Sequence, residues 1–349
     1  MKKRWLQLLL TGALSVTVLA ACGEGEEEAS GENETATGGT EEEDAEGEAE
    51  DSVVVGATQI VEHPSLDEAY EGFKEGLADQ GYTEGENIEF DYQNAQNDQN
   101  NTATIANNFV ADGVDLIFAN STPSAQSALQ ASSETPIIFT SVTDAVEAGL
   151  IEDTETPGEL ITGVMDLHPE AIEMTVDFIT EYFPEATVGM IYNSGEQNSV
   201  SQIEAVEAAM EGTDLEAATR SVSSSAEVQQ AAESLVGDVD VMYIVTDNTV
   251  VSALETVVNV AETQGIPLVV GEPDSLERGG FATFGIDYHT IGYRAGEMAA
   301  EVLSGEKTPA DIPAEYPEDM ELFINKEAAE AQGVEIHKDW EEEAQFINE

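Results

Sequence analysis

The sequence predicts an α/β protein made of two doubly wound, parallel-sheet lobes that are joined by a multi-segment hinge. Beyond residue 51, short apolar runs alternate with amphipathic segments, a pattern that is typical of βαβ units around a buried parallel sheet. The stretch VDLIFANSTPSAQSAL (114–129) recurs in outline as VDVMYIVTDNTVVSAL (239–254), which indicates an equivalent strand-to-helix turn in each lobe. The length that follows residue 51 is sufficient for two domains of ordinary size.

The first lobe begins with an apolar run, followed by a helix pattern that ends at a glycine C-cap signal. Three further strand patterns and two further helix patterns follow in alternation. The predicted strands are SVVVGATQI, NIEFDYQNA, VDLIFANS and PIIFTSV, and the predicted helices are SLDEAYEGFKEGLADQG, NNTATIANNFVADG and SAQSALQASSE.

The same alternation resumes in the second lobe, after the helix pattern EAIEMTVDFITEYF. The predicted strands are ATVGMIYNS, LEAATRSV, VDVMYIVTDN and IPLVVGEPD, and the predicted helices are NSVSQIEAVEAAMEG, AEVQQAAESLVGD and TVVSALETVVNVAETQG. Two further strand–helix pairs follow, in GFATFGIDYHTIGYRAGEMAAEVLSGE and in MELFINKEAAEAQGVEI.

These last two pairs must dock on lobes that are already complete. We therefore expect the chain to return to the first lobe near residue 285 and to pass to the second again near 315–322. The predicted lobes are residues 52–163 with 285–315, and residues 164–284 with 316–340. Several crossings make a hinge, which suits closure around a ligand.

Residues 1–21 are typical of a lipoprotein signal peptide. Three basic residues precede an apolar stretch from Trp5 to Leu19 that ends in small residues, as in secretory signals. An uncleaved anchor helix is the alternative, but the stretch is short of the roughly 20 apolar residues that span a membrane.

Cys22 is the one cysteine of the chain. The run Leu19-Ala20-Ala21-Cys22 resembles a bacterial lipobox, which implies cleavage before Cys22 and lipidation of its sulfur. An incidental cysteine in an ordinary exported protein is the alternative. The acidic residues 22–51 contain no large apolar side chain after Cys22, so we expect a disordered, self-repelling tether.

The chain is strongly acidic, with 10 Lys and Arg against 73 Asp and Glu and a formal net charge of −63. The electrostatic field of so negative a protein repels nucleic acid and anionic membrane surfaces. It predicts a halophile-like surface suited to a salty or alkaline medium, in which screening shortens charge repulsion.

Polar side chains follow most of the predicted strands, where ligands bind in open parallel sheets. These side chains are hydroxyls, amides and carboxylates, a set that suits a zwitterion: free helix N-termini hold its carboxylate, and Asp247 or Glu272 holds its ammonium group. Helix N-caps prefer the same residue types, so any single one of these residues is more often a cap than a ligand contact. The cluster is stronger evidence for a site than its members.

Signals for catalysis are weak. The four histidines His63, His168, His289 and His337 show no metal-binding spacing, and the chain has no nucleophile elbow, phosphate loop or C-x-x-C motif. His63, beside Pro64, is interpreted as shaping a turn or lining the cleft. We therefore expect that the protein is not an enzyme and that it has neither a cofactor nor a metal site.

Nearly the whole chain from about Val53 to about His337 resembles the tryptophan/tyrosine-type ABC transporter substrate-binding lipoproteins. The stretches that carry the resemblance include GATQIVEHPSLDEAYEGFKEGLADQGYTEGENIEFDYQNAQND, IIFTSVTDAVEAGL, IYNSGEQNSVSQ and ERGGFATFGIDYHTIGYRAGEMA. The resemblance implies a type I periplasmic-binding-protein-like fold with a three-segment hinge and one small ligand in the cleft. The chain departs from the family in its acidity and in Gly-Glu-Pro-Asp at 271–274.

Carried onto this sequence, the resemblance implies ligand contacts from both lobes. They are Thr58, Gln59, Ile60, Ser121, Thr122, Pro123, Thr143, Asp144, Asn193, Asn198, Ser199, Thr246, Asp247, Asn248, Glu272 and Asp274. Aromatic walls for a planar ligand are expected among Tyr92, Phe139, Tyr192, Phe284 and Tyr288.

The function implied is that of an extracytoplasmic, lipid-anchored solute-binding protein of an ABC importer. It would bind an amino acid, aromatic or otherwise apolar, and deliver it to a membrane permease, acting as a monomer without nucleic acid. Two alternatives stay open: a different small organic solute, and a sensing protein that presents its closed form to a membrane receptor.

Overall fold

The computed structural model describes residues 52–317 and 320–347. The first sheet has the strand order β2-β1-β3-β4-β5, and every pair in it is parallel. Its elements are β1 Val53–Gln59, α1 Pro64–Asp79, β2 Ile88–Asn94, α2 Gln99–Asp112, β3 Leu116–Asn120, α3 Thr122–Ala131, β4 Ile137–Val142 and β5 Ile161–Met165.

The second sheet has the order β12-β11-β10-β9-β8-β6-β7. Its pairs are parallel except for β10 with β11, which is antiparallel. The elements that follow β5 along the chain are α4 Ala171–Tyr182, β6 Thr187–Asn193, α5 Gln197–Met210, β7 Glu216–Val222, α6 Val228–Leu235, β8 Val241–Ile244, α7 Asn248–Val251, α8 Leu254–Gln264, β9 Leu268–Val270, α9 Pro273–Glu277, β10 Ala282–Gly285, α10 Tyr288–Leu303, β11 Glu321–Asn325, α11 Lys326–Ala331, α12 Trp340–Glu343 and β12 Gln345–Ile347.

The two sheets repeat one topology, which confirms the predicted fold class. The order β2-β1-β3-β4-β5 recurs as β7-β6-β8-β9-β10, so β3 and β8 occupy equivalent places. These are the two strands of the repeated stretch in the sequence. Ligands bind at the switch point of such sheets, beside the first strand, which directs attention to the loops after β1, β3, β6 and β8.

The chain passes between the sheets three times. After β5 it enters α4 and the second sheet, and after β10 it returns to α10, which packs on α1 of the first lobe. Glu315 then pairs with Val164 of β5 before β11 joins β10. The residue boundaries of the lobes stay a prediction.

The apolar core follows the sheets. Phe73 of α1 stacks on Phe118 of β3 with ring centroids 3.8 Å apart, and both rings are buried beneath α10. In the second lobe, Phe178 of α4 stacks on Trp340 at 5.3 Å, so the C-terminal α12 closes that core.

Four short elements differ from the sequence prediction. The strands β5 and β12 and the helices α9 and α12 were not predicted, because each has only three to five residues and too few turns or alternations to produce a periodic signal. The single helix expected over residues 249–265 is broken between α7 and α8 at Ser252 and Ala253.

Candidate functional site

A small enclosed cavity lies between the carboxyl ends of the two sheets. It is nearly filled by its own side chains, with a free volume of about 10 Å³, roughly the room that one water molecule needs. Residues of both lobes line it. They are His63, Leu66, Ser141, Asp166, Asn198, Thr246, Asp247, Asn248, Val251, Glu272 and Tyr288. The cavity therefore occupies the place at which this topology binds ligands.

A buried amide network builds the first-lobe side of the cavity. Asn120, at the end of β3, donates to Gln59 Oε1 at 3.2 Å and to the Leu66 carbonyl at 2.7 Å. Its own Oδ1 accepts a 2.7 Å hydrogen bond from the Ser141 hydroxyl. Because every partner is buried, the network fixes the ends of β1, β3 and β4 against each other.

Backbone strain gathers on the same side. Gln96, Asn97, Ser121 and Ser141 have positive φ angles of 54°, 60°, 126° and 56°, although none is glycine. Gln96 and Asn97 follow β2, Ser121 follows β3, and Ser141 is the next-to-last residue of β4. Strained conformations of this kind persist where the surrounding structure over-determines them, and they cluster at ligand sites.

Asp247 anchors the second-lobe side. Its side chain caps α7 by accepting from the Val250 amide at 2.8 Å, and it also accepts from the Asn193 amide at 2.6 Å. The carboxyl group is fully buried. Burial, and next the nearby Glu196 carboxylate, raise its pKa to about 7, so it carries a proton part of the time near neutrality.

Glu272 and Asp274 bring further carboxyl groups to the lobe interface. Glu272 Oε2 accepts from the Ser65 hydroxyl of α1 at 2.7 Å, a bond between the two lobes, and it caps α9 through Ser275. Burial, followed by the Glu272 carboxylate, raises the pKa of Asp274 to about 7.

Asp166 adds a carboxyl group from the first crossing. Its Oδ2 accepts from the Tyr288 hydroxyl at 2.9 Å, and burial raises its pKa to about 6. Burial and the Asp166 carboxylate hold the pKa of Tyr288 well above its usual range, so the phenol stays a donor.

His63 does not supply a positive charge to offset these carboxyl groups. Burial lowers its pKa to about 4, against the effect of a hydrogen bond with Asn248, so the imidazole is neutral near pH 7. No lysine or arginine is among the lining residues described. The cavity is therefore suited to a group that brings its own positive charge.

Three buried atoms on the wall have no hydrogen-bond partner within the described part of the chain. They are His63 Nδ1, Asp166 Oδ1 and Asn198 Oδ1. Buried polar atoms are nearly always bonded in proteins. Two of these are oxygen acceptors, so the wall offers acceptors to a donor such as an ammonium group.

Of the sixteen predicted ligand contacts, Asn198, Thr246, Asp247, Asn248 and Glu272 line this cavity. The others lie close by at the ends of the same strands or in the first turns that follow. Asp144 caps a turn through the amides of Val146 and Glu147, and Thr143 meets Gln202 of the other lobe at 3.4 Å. As a set, the sixteen contacts stay a prediction.

Sequence reasoning missed four lining residues: Leu66, Ser141, Asp166 and Val251. Asp166 was missed with its strand, since it directly follows β5. The apolar run ITGVM, between Pro157-Gly158 and His168-Pro169, is a signal that could have located both. His63 lines the cavity, which is one of the two roles that its place beside Pro64 suggested.

The aromatic residues are placed differently from the expectation for a planar ligand. Tyr288 lines the cavity, whereas Phe139 is core. Phe284 packs edge-on to Phe178, and Tyr192 packs against the core of the second lobe. Tyr92 stacks on Tyr70 at 5.0 Å and is 39% exposed. These four side chains belong to the packing of their own lobes.

Several expectations fall outside the described residues, namely the signal peptide 1–21, the lipidation site Cys22 and the whole of the tether 22–51. Among residues 52–317 and 320–347, no helix combines the length and the apolar character needed to cross a membrane. The same residues hold no group of three or more His, Cys, Asp or Glu side chains placed to bind a metal ion.

Comparison with known proteins identifies the relatives of this chain. The model of the family described as ABC transporter substrate binding protein matches residues 54–346. A protein named Tyrosine-binding protein from Clostridioides difficile (strain R20291) is 41% identical over 331 residues, which are 94% of this chain and 92% of the relative.

Two solved structures differ in how well they superpose. An ABC domain from Streptococcus pneumonia in complex with L-Trp has a TM-score of 0.80 at 33% identity, covering 85% of this chain and 100% of that one. The ligand-free, open structure of a substrate binding protein from Clostridium difficile scores only 0.62 at 37% identity, covering 84% and 99%. The lobes here are therefore arranged more as in the L-Trp complex.

Substrate-binding proteins of ABC transporters act outside the cytoplasm and are not enzymes, which agrees with the weak signals for catalysis in the sequence. The family model spans both sheets and the cavity between them. The chain belongs to the ABC transporter substrate binding protein family.

Proposed function

We propose that this chain is the extracytoplasmic, lipid-anchored binding protein of an ABC importer, and that it carries an aromatic amino acid to a permease. The observation that carries the proposal is the enclosed interlobe cavity, whose wall holds three carboxyl groups and no lysine or arginine among the described residues. The relatives named for tyrosine and bound to L-Trp supply the ligand class.

The amino group of the ligand is expected beside Asp166 and Asp247. Both carboxyl groups are buried with raised pKa values, and an ammonium group placed between them would restore their ionised forms. The unpartnered Asn198 Oδ1 offers a further acceptor on the same wall. An amine is thus favoured over a neutral solute such as a sugar.

The carboxylate of the ligand is expected at the N-terminus of α5. This helix spans Gln197–Met210, and its N-cap Glu196 turns its side chain away to Thr249 and Asn248. The first backbone amides of a helix carry the positive end of its dipole and bind carboxylates. Leu66, Val251 and Tyr288 offer apolar surface to the side chain of the ligand.

The membrane anchor and the permease complete the proposal. The lipobox-like run that ends at Cys22 and the acidic residues after it support a lipid anchor followed by an extended tether. Mass spectrometry of the membrane-bound protein should find a diacylglyceryl adduct on Cys22, and an unmodified thiol would contradict the anchor.

Isothermal titration calorimetry with each of the twenty amino acids tests the ligand class. We expect saturable one-to-one binding of L-tryptophan or L-tyrosine, with weaker binding of the indole or phenol analogue that lacks the amino group. Asp166→Asn should weaken binding, whereas Asp214→Asn, an exposed carboxylate of the second lobe, should leave it unchanged. No saturable heat from any amino acid would contradict the proposal.

A further inference from the structure

A contact between the lobes lies beside the cavity but is not part of its lining. Asn97, in the loop between β2 and α2 of the first lobe, donates from Nδ2 to the Thr249 hydroxyl of α7 at 2.9 Å. Thr249 is fully buried. Neither residue lines the cavity. We propose that Asn97 and Thr249 form an interlobe latch, which positions the lobes in the closed state and slows ligand release without touching the ligand.

The bonds at Thr249 assign each atom a role. Its hydroxyl lies 2.7 Å from Glu196 Oε1, which can only accept, so the single proton points there. Asn193 Nδ2 donates to the same hydroxyl oxygen at 2.8 Å, and the Asn97 side-chain amide contacts that oxygen through Nδ2 at 2.9 Å and through Oδ1 at 3.1 Å. Asn193 and Glu196 belong to the second lobe, so among the contacts of Thr249 only those with Asn97 break when the lobes open.

The first-lobe arm of the latch is held in place before closure. The backbone N–H of Asn97 donates to the Ile60 carbonyl at 2.7 Å, and the residue has a φ of 60°. Asp98 caps α2 through the Asn100 amide. Because the loop that carries Asn97 is already ordered, it loses little conformational entropy when the lobes close. More of the free energy of the bond between Asn97 and Thr249 therefore favours the closed state.

A second bond runs parallel to the first. Gln99, the first residue of α2, donates from Nε2 to the Gly195 carbonyl of the second lobe at 2.7 Å. Gln99 is exposed, so water competes for this bond more than for the one at the buried Thr249. The Thr249 bond therefore contributes more to closure.

Glu196 connects the latch to the cavity. Its Oε2 accepts from Asn248 Nδ2 at 2.6 Å, while Oε1 holds the Thr249 hydroxyl. Asn248 lines the cavity. A ligand that fixes Asn248 thereby also fixes Glu196 and the orientation of Thr249. The latch rests on the proposed function, because it regulates retention at the same ligand site.

The test compares Asn97→Gly with Gln96→Gly in the full chain. Both residues have positive φ, which glycine tolerates, and Gln96 is exposed, so the control matches the backbone change. With L-tryptophan or L-tyrosine, Asn97→Gly should raise the dissociation rate about three- to tenfold, the value of one net hydrogen bond, with little change in association. Gln96→Gly should leave both rates unchanged.

Two substitutions of Thr249 show whether its hydroxyl group, rather than its packing, positions the lobes. Thr249→Val should speed dissociation as Asn97→Gly does, and Thr249→Ser should restore the slow rate. Equal dissociation rates for the wild type, Asn97→Gly and Thr249→Val would overturn the latch. So would an effect confined to the association rate.

A ligand-free measurement keeps the latch testable if no amino acid binds, which would contradict only the proposed function. Spin labels at Asn108→Cys on α2 and Glu207→Cys on α5, both exposed, with Cys22→Ser, report the interlobe distance by pulsed electron paramagnetic resonance. The latch predicts a smaller short-distance population in Asn97→Gly than in the otherwise native chain. Identical distributions would overturn it.

Discussion

Asp247 is a residue whose protonation depends on the closed packing around it. Its pKa of about 7, and those of Asp274 at about 7 and Asp166 at about 6, are raised mainly by burial. A carboxyl group with a raised pKa binds its proton more tightly in the folded state, so its contribution to stability is complete below its ordinary value near 4 and is lost as the pH rises through 7. His63, with its pKa lowered to about 4, contributes in the opposite direction below about 6.5.

Between about pH 8 and pH 6 the carboxyl groups therefore dominate, and we expect the free energy of unfolding to increase as the pH falls through this range. Asp247→Asn should make that increase shallower, because the amide does not titrate. Urea unfolding at three pH values measures the slopes. The exposed Asp214→Asn serves as the control, and equal slopes in wild type and Asp247→Asn would contradict the assignment.

Ser121 combines a strained backbone with a cap at the start of α3. Its φ of 126° and ψ of 157° lie in a region that glycine occupies almost alone, while its hydroxyl accepts from the Ser124 amide at 3.3 Å. Ser121→Ala loses the cap and keeps the strain, whereas Ser121→Gly loses the cap and relieves about 1–3 kcal/mol of strain.

We expect Ser121→Ala to lower the free energy of unfolding by about 1 kcal/mol or more, from the loss of the cap. Ser121→Gly should be the more stable of the two variants, even though glycine has the greater freedom in the unfolded chain. Chemical denaturation of both measures the difference. A glycine variant less stable than the alanine variant would show that Ser121 is not strained.

At the scale of elements, α1 and α10 approach each other through glycines. Methyl groups at Gly72 and Gly76 of α1 would overlap the carbonyl oxygens of His289 and Tyr293, and a methyl group at Gly292 of α10 would overlap that of Ala69. The backbones thus touch directly. This contact attaches α10, the element that follows the second crossing, to the first lobe.

Gly292→Ala should lower the free energy of unfolding by about 2 kcal/mol, because the helices must separate to admit the methyl group. In an exposed helix the same change would add roughly 1 kcal/mol. Thr290→Ala, at an exposed position of the same helix, is the matched control and should be neutral. Thermal unfolding of both variants measures the effect, and a stabilised Gly292→Ala would contradict the close packing.

Local pattern predicted the elements that have long apolar or amphipathic runs, such as β1, α1 and β3. It missed β5 and β12, whose short runs become strands only when a neighbouring strand offers its edge. Pairing of this kind depends on tertiary contacts, and runs of only three to five residues give a weak local signal for it. Asp166 was missed for that reason, although it is a central part of the cavity wall.

The candidate site was predicted only in part, because caps and ligand contacts use the same residue types. Asp247 and Asp144 both follow strands and both accept backbone amides. Only Asp247 faces the cavity. The difference arises from how the two lobes pack, and the sequence around each aspartate does not indicate that packing.

At the scale of the whole molecule, the formal net charge of −63 opposes the compact state through self-repulsion. We expect the free energy of unfolding to rise with sodium chloride from about 0.05 M to about 1 M, where the screening length falls to roughly 3 Å. Urea unfolding at several salt concentrations measures the rise. Stability that is independent of salt would contradict a halophile-like surface.

The closed arrangement of the lobes gives the cavity its composition, because the first crossing contributes Asp166 and the second lobe Asp247. Opening the lobes would expose both carboxyl groups to water and lower their pKa values toward the ordinary range. The binding chemistry thus belongs to the pair of lobes and is absent from either one alone.

A crystal structure of the protein grown with L-tryptophan or L-tyrosine, whichever binds more tightly, is the most direct test of the proposed ligand site. We expect one amino acid between the lobes, with its amino nitrogen within hydrogen-bond distance of Asp166 or Asp247. An amino acid bound outside the cavity, or with its amino group away from both carboxyl groups, would contradict it.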